Sequence, residues 1–184
     1  MFTNLLHTLQ QNTDNWELCK DLFQEKQVPA KTTLLHEGEI AQNIFFIKKG
    51  CVRIWFNNDG KDITFQFFFE EQAVASFESF FTGKPSLFSV ESIEPTTIIT
   101  LNREDFNKIN TLYPEIRNGF QDILLQRMSN YAKLFLSRIK NNPRQRYEEL
   151  LKNNPEIIQR VPQHYIASYL GITPISLSRI RNKR

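Results

Sequence analysis

The sequence predicts an α+β protein, with a jelly-roll β-barrel first, one long helix next and a small all-helical part last. Three observations carry that expectation. From Gln27 the apolar residues run at a period of two, in short stretches broken by Lys49-Gly50, Asn57-Asn58-Asp59-Gly60 and Glu94-Pro95. Over residues 113–139 the apolar spacing lengthens to three and four. Over residues 161–184 two short apolar patterns flank a single glycine, Gly171.

Taken in order, residues 3–11 and 14–23 are expected as short amphipathic helices that offer Leu5, Leu6, Leu9, Trp16, Leu18, Leu22 and Phe23 for packing. The runs QVPAK, TTLLH, NIFFIKKG, CVRIWF, DITFQFFF, LFSVESI and TTIITL read as strands. Evenly spaced short strands with tight turns favour a jelly roll over a parallel sheet. Asp59-Gly60 is the most specific hairpin signal among them.

After the barrel, Asn102 caps a short helix and Tyr113-Pro114 opens the long one. Its stripe of Ile116, Phe120, Ile123, Leu124, Met128, Tyr131, Leu134 and Phe135 is wide enough to face both the barrel and a second helix. We expect Phe120 and Leu124 in a helix pair between two copies of the chain. Asn141-Asn142-Pro143 breaks the helix, and RQRYEELLKNNPEIIQR then supplies one helix and a short second. The expected division is residues 1–112, barrel with N-terminal helices; 113–140, dimerisation helix; 141–184, helical domain.

In that last part Ile166, Leu170, Ile172, Leu177 and Ile180 give each of two helices an inward face, and Ala167 is small where the helices meet. Gly171 suits a left-handed exit from the first helix, Thr173 caps the second, and Pro174 takes its first position. Ile175, Ser178, Arg179 and Asn182 then point outward. This arrangement resembles the helix-turn-helix of DNA-binding regulators, whose second helix lies in the major groove. Gln163, Thr173 and Ser176 stand at helix starts, where donors meet phosphates.

Composition bounds the function. The chain has 184 residues, 40% hydrophobic and 23% charged, with 16 phenylalanines. No window approaches a membrane span and MFTNLLHTLQ carries no signal peptide, so a cytoplasmic protein without a membrane partner is expected. From Arg138 onward ten basic residues stand against three acidic ones, a balance of +7; with +3 overall, the first 137 residues carry −4. Such asymmetry points to a polyanion partner for the C-terminal part.

Enzyme chemistry finds little support. Of three histidines, His7, His36 and His164, only His36 falls in the barrel, too few for a metal site, and there is no Gly-x-Ser-x-Gly elbow. The two cysteines, Cys19 and Cys51, are read as packed or surface thiols. No metal, cofactor or catalytic residue is expected.

Barrel, long helix and C-terminal hairpin together resemble the Crp/Fnr family of bacterial transcription regulators over nearly the whole chain. LHEGEIAQNIFFIKKGCVRIWF is similar to the family's strand–turn–strand around a Lys-Gly pair, and GITPISLSRIRNK to a shortened, wingless form of its DNA-binding hairpin. The resemblance implies a homodimer on pseudo-palindromic double-stranded DNA. Its cyclic-nucleotide members hold the ribose with a glutamate and the cyclic phosphate with an arginine. Registered on Gly83 in VASFESFFTGKPSLFSVESIEP, these positions fall on Ser76 and Ser86, and the following hydroxyl on Leu87. Glu78 and Lys84 are the nearest substitutes, and a lysine lacks the guanidinium fork for a bidentate phosphate contact. Phe77, Phe80, Phe81 and Phe88 surround this cassette, and Phe65, Phe67 and Phe69 alternate along one strand, so rings are expected to fill the space or line an apolar cavity. The iron–sulfur branch of the family needs four cysteines where this chain has two. The expectation is a DNA-binding regulator that does not bind cyclic AMP, with an unidentified small-molecule effector or none. The alternatives are a cyclic-nucleotide-type binding module acting on protein partners, and a barrel enzyme.

Overall fold

A computed structural model describes residues 16, 17 and 19–182, with the side chains of 114–116 outside the description. The helix expected over 3–11 lies outside these residues, as does part of the one over 14–23, whose end is a single 3-10 turn at Lys20–Leu22.

Among the described residues eight strands make two antiparallel four-stranded sheets: β1 (Gln24–Val28), β8 (Thr96–Asn102), β3 (Asn43–Lys49) and β6 (Ala73–Val74) in one; β2 (Thr33–Leu35), β7 (Ser89–Ser92), β4 (Val52–Asn58) and β5 (Lys61–Phe68) in the other. The seven expected runs all contain a strand, but the first lies earlier than QVPAK: β1 starts at Gln24 and stops before Pro29, which lacks the N–H a ladder needs. The two-residue β6 is too short to show a period. At the β3–β4 turn Gly50 has φ +107, and a Cβ there would stand 2.5 Å from Thr96 Oγ1, so no other residue fits. The β4–β5 hairpin turns through Asp59 and Gly60, both at positive φ, as the Asp-Gly signal requires.

β4 alternates cleanly, with Val52 and Ile54 in the barrel core and Arg53 on the outer face. β5 does not. Trp55 pairs with Thr64 and Ile54 with Gln66, so Phe65 is an extra residue, a β-bulge. The bulge overturns the expected alternation of Phe65, Phe67 and Phe69. Phe65 stacks with Phe88, whereas Phe67 and Phe69 join the core of the C-terminal helices.

Among the described residues from Phe77 on there are seven helices: α1 (Phe77–Thr82), α2 (Arg103–Leu112), α3 (Pro114–Lys140), α4 (Pro143–Asn153), α5 (Pro155–Arg160), α6 (Gln163–Leu170) and α7 (Pro174–Asn182). Asn102 caps α2 by accepting from Asp105 N, as expected. At the break, Asn142 and Gln145 close a capping box that starts α4. The long helix corrects the expected seam. Phe120 and Ile123 are buried against the barrel, and Leu124 packs with them. Met128 and Phe135, from the same stripe, are exposed together with Leu125, Leu136 and Ile139. The sequence stripe merged two faces, because steps of three and four recur on both.

Candidate nucleic-acid interface and effector cassette

The hairpin of α6 and α7 is built from the residues that announced it. Gly171 sits at φ +67, its N–H donates to Ser168 O, and Ile172 N–H reaches back to Ala167 O at 2.9 Å, satisfying the last carbonyls of α6. Thr173 Oγ1 accepts from Ser176 N at 3.1 Å, which caps α7. Ala167 and Leu177 are fully buried, with Ile166 and Leu170 beside them, and Ile172 and Ile180 packed at the margin. On the opposite side Ile175, Ser178, Arg179 and Asn182 are exposed and, three and four residues apart, share one face. Thr173 and Gln163 are exposed at their helix starts, and Ser176 is half-buried.

Three polar links dock the C-terminal helices on the outer face of the barrel. Ser168 Oγ accepts from Thr64 N and donates to Asp62 O, both at 2.8 Å. Arg53, 1% exposed, donates to Glu91 at 3.1 Å and to Thr64 and Asp62 at 3.3 Å, with Tyr165 stacked over its guanidinium. Arg160, at the end of α5, forks onto both oxygens of Glu70 at 2.8 Å and also bonds Glu94. The Arg160 fork and the Gly50 N–H hold the Glu70 carboxyl at about 2. Burial, with Glu94 and Glu70 nearby, pushes the Cys51 thiol far above its ordinary value, so it stays protonated. Sequence reasoning missed these links. Arg53 was the one available signal, an arginine inside the apolar run CVRIWF.

The cassette residues do not converge. Ser76 and Ser86 are buried, whereas Glu78, Lys84 and Leu87 are exposed. The Ser86 hydroxyl donates to Phe88 O at 2.6 Å, and the loop is tied down by Ser79 Oγ, which bonds Lys84 O and Ala41 N. Arg103 Nη2 donates to Ala41 O at 2.7 Å and to Ser79 O at 3.2 Å, a positive group spent on backbone carbonyls. Phe80 packs edge-on against Phe81 and Phe106, and Phe77 and Phe81 against Phe120. Rings thus join α1 to the long helix. Among the described residues there is no group of carboxylates, histidines and cysteines fit to hold a metal ion, and no helix is long and apolar enough to cross a membrane.

The family model for the cyclic nucleotide-binding domain matches residues 25–111. Among solved structures, a CooA variant from Carboxydothermus hydrogenoformans is 19% identical, covering 97% of this chain and 83% of its own with a TM-score of 0.75. The c-di-GMP responsive global regulator CLP of Xanthomonas campestris is 15% identical, covering 94% and 91% at a TM-score of 0.73. The Catabolite Activator Protein of Thermus thermophilus is 18% identical, covering 97% and 85% at 0.60. At these identities the likeness is one of fold. No curated protein matches the chain.

Proposed function

We propose that this chain, which has the fold of the Crp/Fnr regulators, is a homodimeric, sequence-specific DNA-binding transcription regulator whose barrel does not take cyclic AMP. The observation that carries the reading is the outer face of α7, where Arg179 stands exposed between Ser178 and Asn182 on a capped helix whose other side packs inward through the buried Leu177. A guanidinium there can bond both acceptors of a guanine, Ile175 is placed for a thymine methyl, and Gln163, Thr173 and Ser176 for phosphates. The working division is a barrel over 1–112, a dimerisation helix over 113–140 and a DNA-binding domain over 141–184.

The long helix supports the dimer. Leu125, Met128, Phe135, Leu136 and Ile139 are each at least 47% exposed. At about 100° per residue, they and Ala132 fall within one arc of about 100°, turned away from Phe120 and Ile123. The steps 125, 128, 132, 135, 139 are those of a coiled-coil seam, and a second copy would cover it.

Against cyclic AMP stand the missing fork at Ser86 and Leu87, the missing carboxylate at Ser76, and the outward placement of Glu78 and Lys84. A phosphate entering there would lose water without a guanidinium to replace it. An unidentified effector, or none, is left for the barrel.

The test is selection of bound duplexes from a random pool. Enrichment of a two-fold symmetric sequence, with half-sites about one helical turn apart, is expected. A pool that stays random would sink the reading and favour a module that acts on protein partners.

A further inference from the structure

We propose that the cleft bounded by α3, β5 and the C-terminal helices α4 to α6 is a binding site for a small amphipathic carboxylate. It lies outside the barrel and apart from the DNA-reading face. The cleft measures about 370 Å³ and is walled by Phe67, Leu134, Leu150, Ile157 and Tyr169. That volume is at the lower end of small-molecule sites, which combine apolar walls with a few placed polar groups.

Charge selects the ligand class. Lys133, Arg138 and Arg146 line the cleft, and among the described residues none of them has a carboxylate within 4.0 Å. The carboxylate of Glu149 is occupied elsewhere, accepting from Ser137 Oγ and Asn141 Nδ2 at 2.6 Å each. Arg138 is itself under tension. Partial burial lowers the Arg138 pKa, and the neighbouring Arg146 charge adds to the depression. An arriving anion would offset the repulsion from Arg146. Arg138 Nη2 already donates to Tyr169 O at 2.8 Å, which leaves the rest of its guanidinium, beside apolar walls, for the planar contact a carboxylate makes.

Two polar atoms lack partners in the same place. Arg146 Nε and Gln66 Oε1 are buried without a hydrogen bond, although both residues line the cleft. Buried polar groups are seldom left unmatched, because each one costs stability. Neither atom is exposed to the cleft itself, so a ligand would reach them only as the wall opens around it. The other nitrogens of Arg146 already hold Asn141 O at 2.7 Å and Leu170 O at 2.9 Å, so the guanidinium is fixed before a ligand arrives.

The experiment is calorimetric titration of the full chain with 4-hydroxybenzoate, indole-3-acetate and octanoate at millimolar concentration, each beside its neutral amide. Saturable heat with at least one acid is expected, weaker by roughly tenfold or more for its amide. Arg138→Gln should weaken binding by a similar factor, and Leu134→Trp, which fills the cleft, should abolish it with the circular dichroism unchanged. Lys84→Gln, on the barrel surface, should leave it as it was. The proposal is overturned if no acid gives saturable heat, if acid and amide bind alike, or if binding survives both cleft variants. No DNA enters the titration, so its failure leaves the regulator reading untouched.

Discussion

The guanidinium carbon of Arg53, near the start of a barrel strand, lies 3.9 Å from the ring centroid of Tyr165 in the first helix of the hairpin. Beneath that ring the same side chain pairs with Glu91, whose side chain is only 12% exposed. Arg53→Met should therefore leave a nearly buried carboxylate without its cation, at a cost of about 3 to 5 kcal/mol in urea unfolding. Adding Glu91→Gln should recover part of the loss, because the two residues are coupled. An unchanged urea midpoint for Arg53→Met would remove the cluster from the account of stability.

Arg179→Ala should weaken binding to the selected DNA site by about 1 to 3 kcal/mol and relax preference at one base pair per half-site. Thr173→Val should instead weaken all sequences alike. Competition with single-base variants of the site separates the two patterns. Unchanged preference after Arg179→Ala would move the reading face elsewhere.

The dimer is tested on the exposed arc of the long helix. Met128→Glu with Phe135→Glu should give a folded monomer in sedimentation, since both residues are exposed in the single chain. Phe120→Glu should behave differently and unfold the protein, because its ring is 4% exposed and an unpaired charge there is costly. A folded, still dimeric double variant would place the interface on another surface.

Cyclic AMP and cyclic GMP at millimolar concentration should give no thermal shift, and DNA binding should require neither. The phosphate would meet Ser86, whose hydroxyl already donates to its own loop. A saturable shift at micromolar nucleotide would refute this, and Glu78→Gln and Lys84→Gln would then be the variants to make.

Glu70 gives a pH signature. Its folded pKa, about 2, lies below the ordinary 4.5, so protonation opposes folding. Its contribution is complete above about 4.5 and is lost as pH falls toward 2. Unfolding series of wild type and Glu70→Gln should thus differ at neutral pH and converge across that window. A constant difference down to the acid end would assign the effect to packing.

The elements of this fold were legible wherever a local rule was strong. Asp59-Gly60, Gly171, Thr173 and Asn102 each act through their own backbone or that of close neighbours, and each stands where the sequence indicated. The bulge at Phe65 was not legible, because an inserted residue is defined by the partner strand and leaves no mark on its own run. The same reason hid the interior side of the long helix. Three-and-four spacing names an apolar face without saying whether a barrel or another chain covers it. Arg53, Arg160 and Ser168 find their partners on other elements, up to 106 residues away, and no local pattern connects them. The outward residues of α7 followed from periodicity alone, whereas the scattering of Ser76, Glu78, Lys84, Ser86 and Leu87 followed from how the loop folds back.

Phe67, Phe69, Cys51 and Ile93 belong by chain position to the barrel but by packing to the interior shared with Tyr147, Ile157 and Tyr165. A fragment ending at residue 140 would strip the cover from those barrel residues, and one beginning at 141 would lack the wall its helices lean on. The break at Asn141 is therefore a seam in the sequence but not in the interior. Melting should be a single event for both parts. A substitution deep among the C-terminal helices would be felt in the sheet as readily as one made in the sheet itself.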